Sequence, residues 1–170
     1  MNSEGSQVSQ VVAQQQGAAE QYLTFMLAGE EYGVDILRVQ EIKGWDSATP
    51  IPNTPEHVLG VINLRGTVVP IVDLRRRFAL ESKELGATTV VVVLKVKGGS
   101  GERTMGFVVD SVSDVYTVPM EQIKAAPDLG GSLADTCVKG LATVDGKMVI
   151  LLDIDRLVDA GADGGGGTTH

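Results

Sequence analysis

Along most of the chain, apolar residues fall in short runs broken by glycine, aspartate and proline, a pattern that predicts strands. Tyr22 to Leu27 and Glu31 to Asp35, joined at Ala28-Gly29-Glu30, read as a tight hairpin. Val61 to Leu64 and Thr67 to Val72 read as another. Thr88 to Val96 is a long aliphatic stretch, as expected of a strand buried on both faces. A Lys/Gly-rich loop, Lys97 to Gly101, leads from it to a hairpin partner at Met105 to Val109. Val138 to Val144 and Lys147 to Leu152 flank Asp145-Gly146, the strongest hairpin signal here, because Asp-Gly suits a type I′ turn. Helical signals are short. Asn53-Thr-Pro-Glu-His57 offers a cap residue and a first-turn proline. Asp73 and Asp153 each stand ready to cap a turn of helix directly after a strand. The expected fold class is mainly β, with a few short helical turns.

The two late hairpins repeat. Gly60, Gly66 and Asp73 correspond to Gly140, Gly146 and Asp153 at a constant offset of 80. Upstream, Gly33 and Val39 correspond to Gly106 and Val112 at an offset of 73. Each unit reads as a hairpin, a return strand, a connection, a Gly-to-Gly hairpin and an Asp-capped turn. About 60 residues in five strands suit a small closed barrel, which hides sheet edges. Two such barrels sharing an apolar seam are therefore expected, with Thr88 to Val96 crossing between units. One position breaks the match: Arg65 stands where the second unit has Asp145. Arginine is poor hairpin chemistry, so Arg65 is expected to serve something other than the turn.

Composition sharpens this picture. The 170 residues suit one domain or two small packed ones, and 43% hydrophobic with only 4% aromatic residues demands an aliphatic core. The net charge of −8 argues against nucleic acid and against an anionic membrane surface as partners. Charge is uneven: residues 1–60 carry −6, 61–103 carry +4 and 104–170 carry −6. A basic middle of this kind complements a protein partner or is scattered solvated surface. Cys137 is alone, so no disulfide framework exists and a reducing compartment is expected. No signal pattern and no apolar run near the ~20 residues of a membrane helix is seen, so a cytoplasmic protein without membrane insertion is expected. Residues 1–19 and 159–170 read as disordered arms around a body at 20–158.

Reactive chemistry is sparse. Histidine occurs only at His57 and His170, and no nucleophile elbow, phosphate loop or metal-binding helix motif is present. Asp73, Asp110, Asp153 and Asp155 could hold a hard cation, though capping accounts for Asp73 and Asp153. Arg75-Arg76-Arg77 reads as a solvated or partner-facing patch, and Trp45 as an interface anchor or a barrel-end plug. No catalytic residue, metal or cofactor is expected.

Four segments carry a resemblance: EEYGVDILRVQEI (30–42), NTPEHVLGVINLRGTVVPIVDLR (53–75), GFVVDSVSDV (106–115) and KGLATVDGKMVILLDIDRLV (139–158). In order and spacing they resemble the CheW family of chemotaxis coupling proteins, over almost the whole body. The resemblance implies two intertwined five-stranded SH3-like β-barrels and a non-enzymatic adaptor in signal transduction. It implies three partners: the regulatory domain of the histidine kinase CheA, the cytoplasmic tips of chemoreceptors, and other coupling-protein copies in arrays at the inner face of the membrane. Carried onto this sequence, it implies receptor binding by Val39, Glu41, Arg65, Val68, Gly106, Val112 and Val115, and kinase binding near Gly60. The same pattern occurs in a CheA domain and in CheV. Those are accompanied by a kinase or receiver domain, which this sequence lacks.

Overall fold

The computed structural model describes residues 19–98, 101–125 and 137–158. Its strands are β1 (Ala19–Leu27), β2 (Glu30–Asp35), β3 (Val39–Gly44), β4 (Val58–Leu64), β5 (Thr67–Asp73), β6 (Val90–Gly98), β7 (Gly101–Val109), β8 (Ser111–Pro119), β9 (Val138–Val144) and β10 (Lys147–Leu152). They form two five-stranded sheets, ordered β8-β1-β2-β10-β9 and β3-β6-β7-β5-β4.

The repeat is structural as well as sequential, but a unit is not a barrel. Each sheet takes the first hairpin of one unit and the three later strands of the other. The chain leaves β2 through a 3-10 turn at Ile36–Arg38, and leaves β7 through Asp110 alone. Both exits lead into the opposite sheet. The register shows the equivalence: Leu151 lies opposite Gly33 in the parallel β10–β2 pair, and Ile71 opposite Gly106 in the parallel β5–β7 pair. Both glycines sit where space is tight. A Cβ on Gly33 would lie 3.1 Å from Leu151 Cδ2, and one on Gly106 would lie 2.6 Å from Ile71 Cδ1.

Strand alternation sorts the apolar side chains into three cores. Val69, Ile71, Val91, Val93 and Val108 fill one barrel, and Tyr22, Val118, Ala142, Val149 and Leu151 fill the other. The opposite faces of the same strands meet in a seam built from both sheets, including Phe25, Leu27, Val34, Val92, Leu94, Phe107 and Leu152. This is why Thr88 to Val96 reads as apolar on both faces: Val91 and Val93 face a barrel interior, while Val92, Leu94 and Val96 face the seam.

Several expectations need correcting. Ala19 is already in β1, paired with Pro119, so the body begins earlier than residue 20. Asn53 to His57 is a turn rather than helix; Asn53 has φ +63°, outside the right-handed helical region. The expected loop at Lys97 to Gly101 is strand at both its ends, because β6 and β7 pair as far as Gly98 and Gly101. The arginine triplet is no free patch. Arg75 pairs with Asp110, Arg76 lies 3.5 Å from Asp73, and Arg77 donates to the Leu157 carbonyl. Trp45 packs against one barrel core, its backbone N–H donating to Thr89 O, which is the plug reading. The N-terminal arm (1–18) and the tail (159–170) lie outside the described residues.

Candidate docking site

The β4–β5 turn is where the two units can be compared atom by atom. Arg65 has φ +51° and Gly66 +88°; Asp145 has +52° and Gly146 +78°. Both pairs therefore have the positive φ values of a type I′ turn. The expectation that Arg65 stands outside turn chemistry is corrected: it occupies the same left-handed position as Asp145. Aspartate tolerates that position and arginine does so poorly. Local help comes from Asn63, whose side-chain oxygen accepts the Gly66 N–H at 2.7 Å. A strained long side chain at an exposed turn is the kind of outlier that marks function.

The turn projects the arginine outward, with 74% of its side chain exposed. Its guanidinium nonetheless has a definite partner, donating to Glu41 Oε1 at 2.6 Å. Glu41 sits in β3, whose residues alternate half-buried and exposed. β3 and β4 are the two ends of their sheet, so this ion pair spans the place where the barrel closes. Two residues far apart in sequence, both expected at a receptor interface, are thus brought into direct contact. Val68, just beyond the turn on β5, is 65% exposed.

Val39 and Val112 pair with Leu94 and Phe25 respectively, one in each sheet. Both are half-buried and pack on the seam core, so they approach it from opposite barrels as repeat equivalents. Val115 is 42% exposed on β8. Two of the expected residues offer no surface. Gly106 is buried in β7, where Ile71 and Val91 occupy the room a side chain would need. Gly60 is buried at φ +143°, and a Cβ there would collide with the Thr49 carbonyl oxygen. That collision exists because Thr49 bridges Val61 across β4, as Lys124 bridges Leu141 in the second unit. Both glycines are buried, at places where their neighbours leave little room for a side chain.

The sequence reasoning missed two exposed apolar residues beside this set: Leu37, 87% exposed in the 3-10 turn before Val39, and Ile42, next to Glu41. A signal for Leu37 did exist. Asp35 caps that turn by accepting the Leu37 N–H, which turns the residue out of the strand.

The aspartates expected as alternative cation ligands have structural duties. Asp73 accepts the Arg75 N–H, Asp153 accepts the Arg156 N–H, and Asp110 and Asp155 pair with Arg75 and Arg38. Among the described residues no three His, Cys, Asp or Glu side chains are grouped to hold a metal ion. No described helix is long and apolar enough to cross a membrane.

Comparison with known proteins agrees with this architecture. The model of the CheW-like domain matches residues 21–162. The chemotaxis protein CheW of Klebsiella aerogenes is 46% identical over 141 residues, 83% of this chain and 82% of that protein. That of Rhizobium meliloti is 38% identical over 135 residues, covering 79% and 84%. The crystal structure of scaffolding protein TtCheW from Thermoanaerobacter tengcongensis superposes with a TM-score of 0.73 at 32% identity, over 81% of this chain and 91% of that one. The chain belongs to the CheW-like family.

Proposed function

We propose that this protein is a cytoplasmic, non-enzymatic chemotaxis adaptor that couples the tips of chemoreceptors to the regulatory domain of the histidine kinase CheA, within arrays that include further copies of itself. The observation that carries this reading is Arg65: an arginine kept at a left-handed turn position, exposed, and held by Glu41 at the closure of a barrel. A partner helix laid along the seam would meet Val39 from one barrel and Val112 and Val115 from the other, with Val68 beside the turn. An amphipathic helix in an apolar groove is a recurrent mode of recognition. Arg65 then exchanges or shares its bond to Glu41 with a carboxylate or helix-end carbonyl on the receptor. For the kinase, Gly60 acts indirectly, by letting the segment around Thr49 cross β4 closely and so shaping that end of the barrel. The similarity to chemotaxis proteins CheW and to the scaffolding protein TtCheW supports the assignment.

An adaptor changes a kinase's activity only if it contacts the kinase or receptor differently in their two states. The test is Arg65→Ala with a soluble receptor tip. Removing a charge-assisted donor worth roughly 1.5–3 kcal/mol should weaken binding by about 10- to 150-fold while the melting curve stays cooperative. Unchanged affinity in the folded variant refutes the role given to Arg65.

A further inference from the structure

The two barrels close in the same way but not with the same charge. In one, Arg65 on the β4–β5 turn reaches Glu41 on β3, and β3 and β4 are the end strands of that sheet. The repeat offsets of 80 and 73 carry these positions to Asp145 on the β9–β10 turn and Asp114 on β8, where β8 and β9 are the end strands of the other sheet. An attractive pair is thereby replaced by two acids. Neighbouring positions widen the contrast: Lys43 and Thr104 of the first barrel correspond to Tyr116 and Glu31 of the second, at the offset of 73. The first set of four side chains carries a net charge of +1 and the second −3.

Glu31 points to what the acidic end lacks. Strand pairing sets it beside Met26 and Val149, and Val149 belongs to the interior core of that barrel, against which Tyr116 packs. Only 8% of Glu31 is exposed, and its Oε2 is buried with no hydrogen-bond partner among the described residues. A buried carboxylate oxygen without a donor is costly. The three acids share a neighbour: burial first, then the charges of Glu31, Asp114 and Asp145, raise the Tyr116 pKa. Among the described residues none of the three is in an ion pair, and neither is Lys147, two positions beyond Asp145. Three negative charges at one barrel end, one of them buried and short of a donor, suit a cationic donor brought from outside the chain.

The place of this end says where the donor comes from. Val112 and Val115 lie on either side of Asp114 and line the apolar groove from the second barrel, as Val39, two residues before Glu41, lines it from the first. Met148, which matches Val68 at the offset of 80, is 59% exposed close to the Asp145 turn. A helix laid along the groove meets the Arg65–Glu41 pair at one end and the acids at the other. Because the groove walls are repeat equivalents, a reversed helix would find nearly the same apolar contacts, and charge alone distinguishes the two directions. We propose that Asp114 and Asp145, backed by the buried carboxylate of Glu31, are the cation-accepting end of this groove: they take a lysine or arginine of the docked receptor helix and so fix which way it runs. The inference rests on reading the chain as a receptor adaptor. Such an arrangement selects by repelling the reversed helix as well as by holding the correct one.

The probe is a soluble receptor tip added to the full chain. Asparagine suits both aspartate positions: it keeps the acceptor for the Val115 N–H and tolerates the left-handed turn. Asp114→Asn with Asp145→Asn should weaken tip binding by about 3- to 10-fold at low salt and make its salt dependence shallower. Glu31→Gln should also weaken binding, while the melting temperature holds or rises because an unpaired buried charge is removed. Direction is read with a nitroxide on one end of the tip, which broadens nearby amide resonances. In the native protein it should broaden the amide of Gly66 or that of Gly146, not both. Asp145→Arg with Asp114→Glu copies the Arg65–Glu41 pair into the second barrel, and both amides should then broaden. Full tip affinity in the paired asparagine variant, or one-sided broadening in the charge-copied one, overturns the proposal. So does a calcium-induced rise in the melting temperature of the free protein that the asparagine pair abolishes, since the acids would then be a metal site. Failure of the adaptor reading looks different: the native protein does not bind the tip at all, and both proposals fall.

Discussion

Gly60→Ala is the substitution that most sharply separates a glycine that shapes the fold from one that touches a partner. Gly60 has φ +143°, and an added Cβ would lie 2.6 Å from the Thr49 carbonyl carbon and closer still to its oxygen. The obstacle is backbone, held by two hydrogen bonds between Thr49 and Val61 at 2.8 and 2.9 Å, so no side-chain rotation relieves it. Strain at such a φ costs about 1–3 kcal/mol. Overpacking against fixed atoms adds about 1–3 kcal/mol. At about 2–4 °C per kcal/mol for a chain of this size, the melting temperature should fall by roughly 5–20 °C. Gly140 provides the internal control. Its Cβ would meet Ile123 Cγ2 at 2.6 Å and Lys124 O at 2.9 Å, but its φ is not in the left-handed region. Gly140→Ala should therefore cost only the packing component, about 1–3 kcal/mol. Differential scanning fluorimetry of the three proteins decides it. A Gly60→Ala protein melting within one or two degrees of the parent, at about 2–4 °C per kcal/mol, would refute the structural role given to this glycine.

Arg65→Asn should separate stability from docking: it suits the left-handed turn better, so the unfolding free energy from denaturant titration should rise by up to about 1 kcal/mol while receptor-tip affinity falls. Asp110→Asn leaves the Arg75 guanidinium without its carboxylate and should cost about 1.5–3 kcal/mol in urea titration, with the slope unchanged. Acid should destabilise the fold in two stages, read by melting temperature against pH. Hydrogen bonding from Arg75 depresses the Asp110 pKa; burial raises that of Asp155, but Arg38 and the Lys97 N–H outweigh it and lower it; the Lys139 ammonium lowers that of Glu20. Folded values below unfolded ones give stability that is full above the ordinary carboxylate range and lost as pH falls through the folded values, so a steep decline is expected below about pH 4. Burial depresses the His57 pKa, which subtracts a smaller amount once pH drops below about 6.5, where the unfolded histidine binds its proton.

The strands and their repeat were legible because alternation and turn residues are local. Asp145-Gly146 announces its hairpin, and the Gly33/Gly106 and Gly60/Gly140 correspondences recur as matched contacts in the structure. Which sheet a hairpin joins was not legible from periodicity, since the two destinations are near copies. It follows from the short exits at Ile36–Arg38 and Asp110, which lead into the opposite sheet, and from the ion pairs of Arg38 with Asp155 and Arg75 with Asp110, none of which periodicity shows. The docking residues divide in the same way. Arg65 stood out against Asp145 in the alignment of units, but its bond to Glu41 depends on barrel closure and leaves no local trace. The burial of Gly60 and Gly106 was not legible, because a glycine set in close backbone or core packing looks, in sequence, like one set in a flat surface. Leu37 was passed over because an apolar residue beside a strand is ordinarily core, and only the Asp35 cap turns it outward.

The adaptor account is tested most directly by sedimentation of the purified protein with a CheA regulatory domain and a soluble receptor tip, separately and together. The account predicts a complex with each partner alone, a ternary species when all three are mixed, and loss of the receptor arm but not the kinase arm in Arg65→Ala. Failure of the native protein to bind either partner would contradict it.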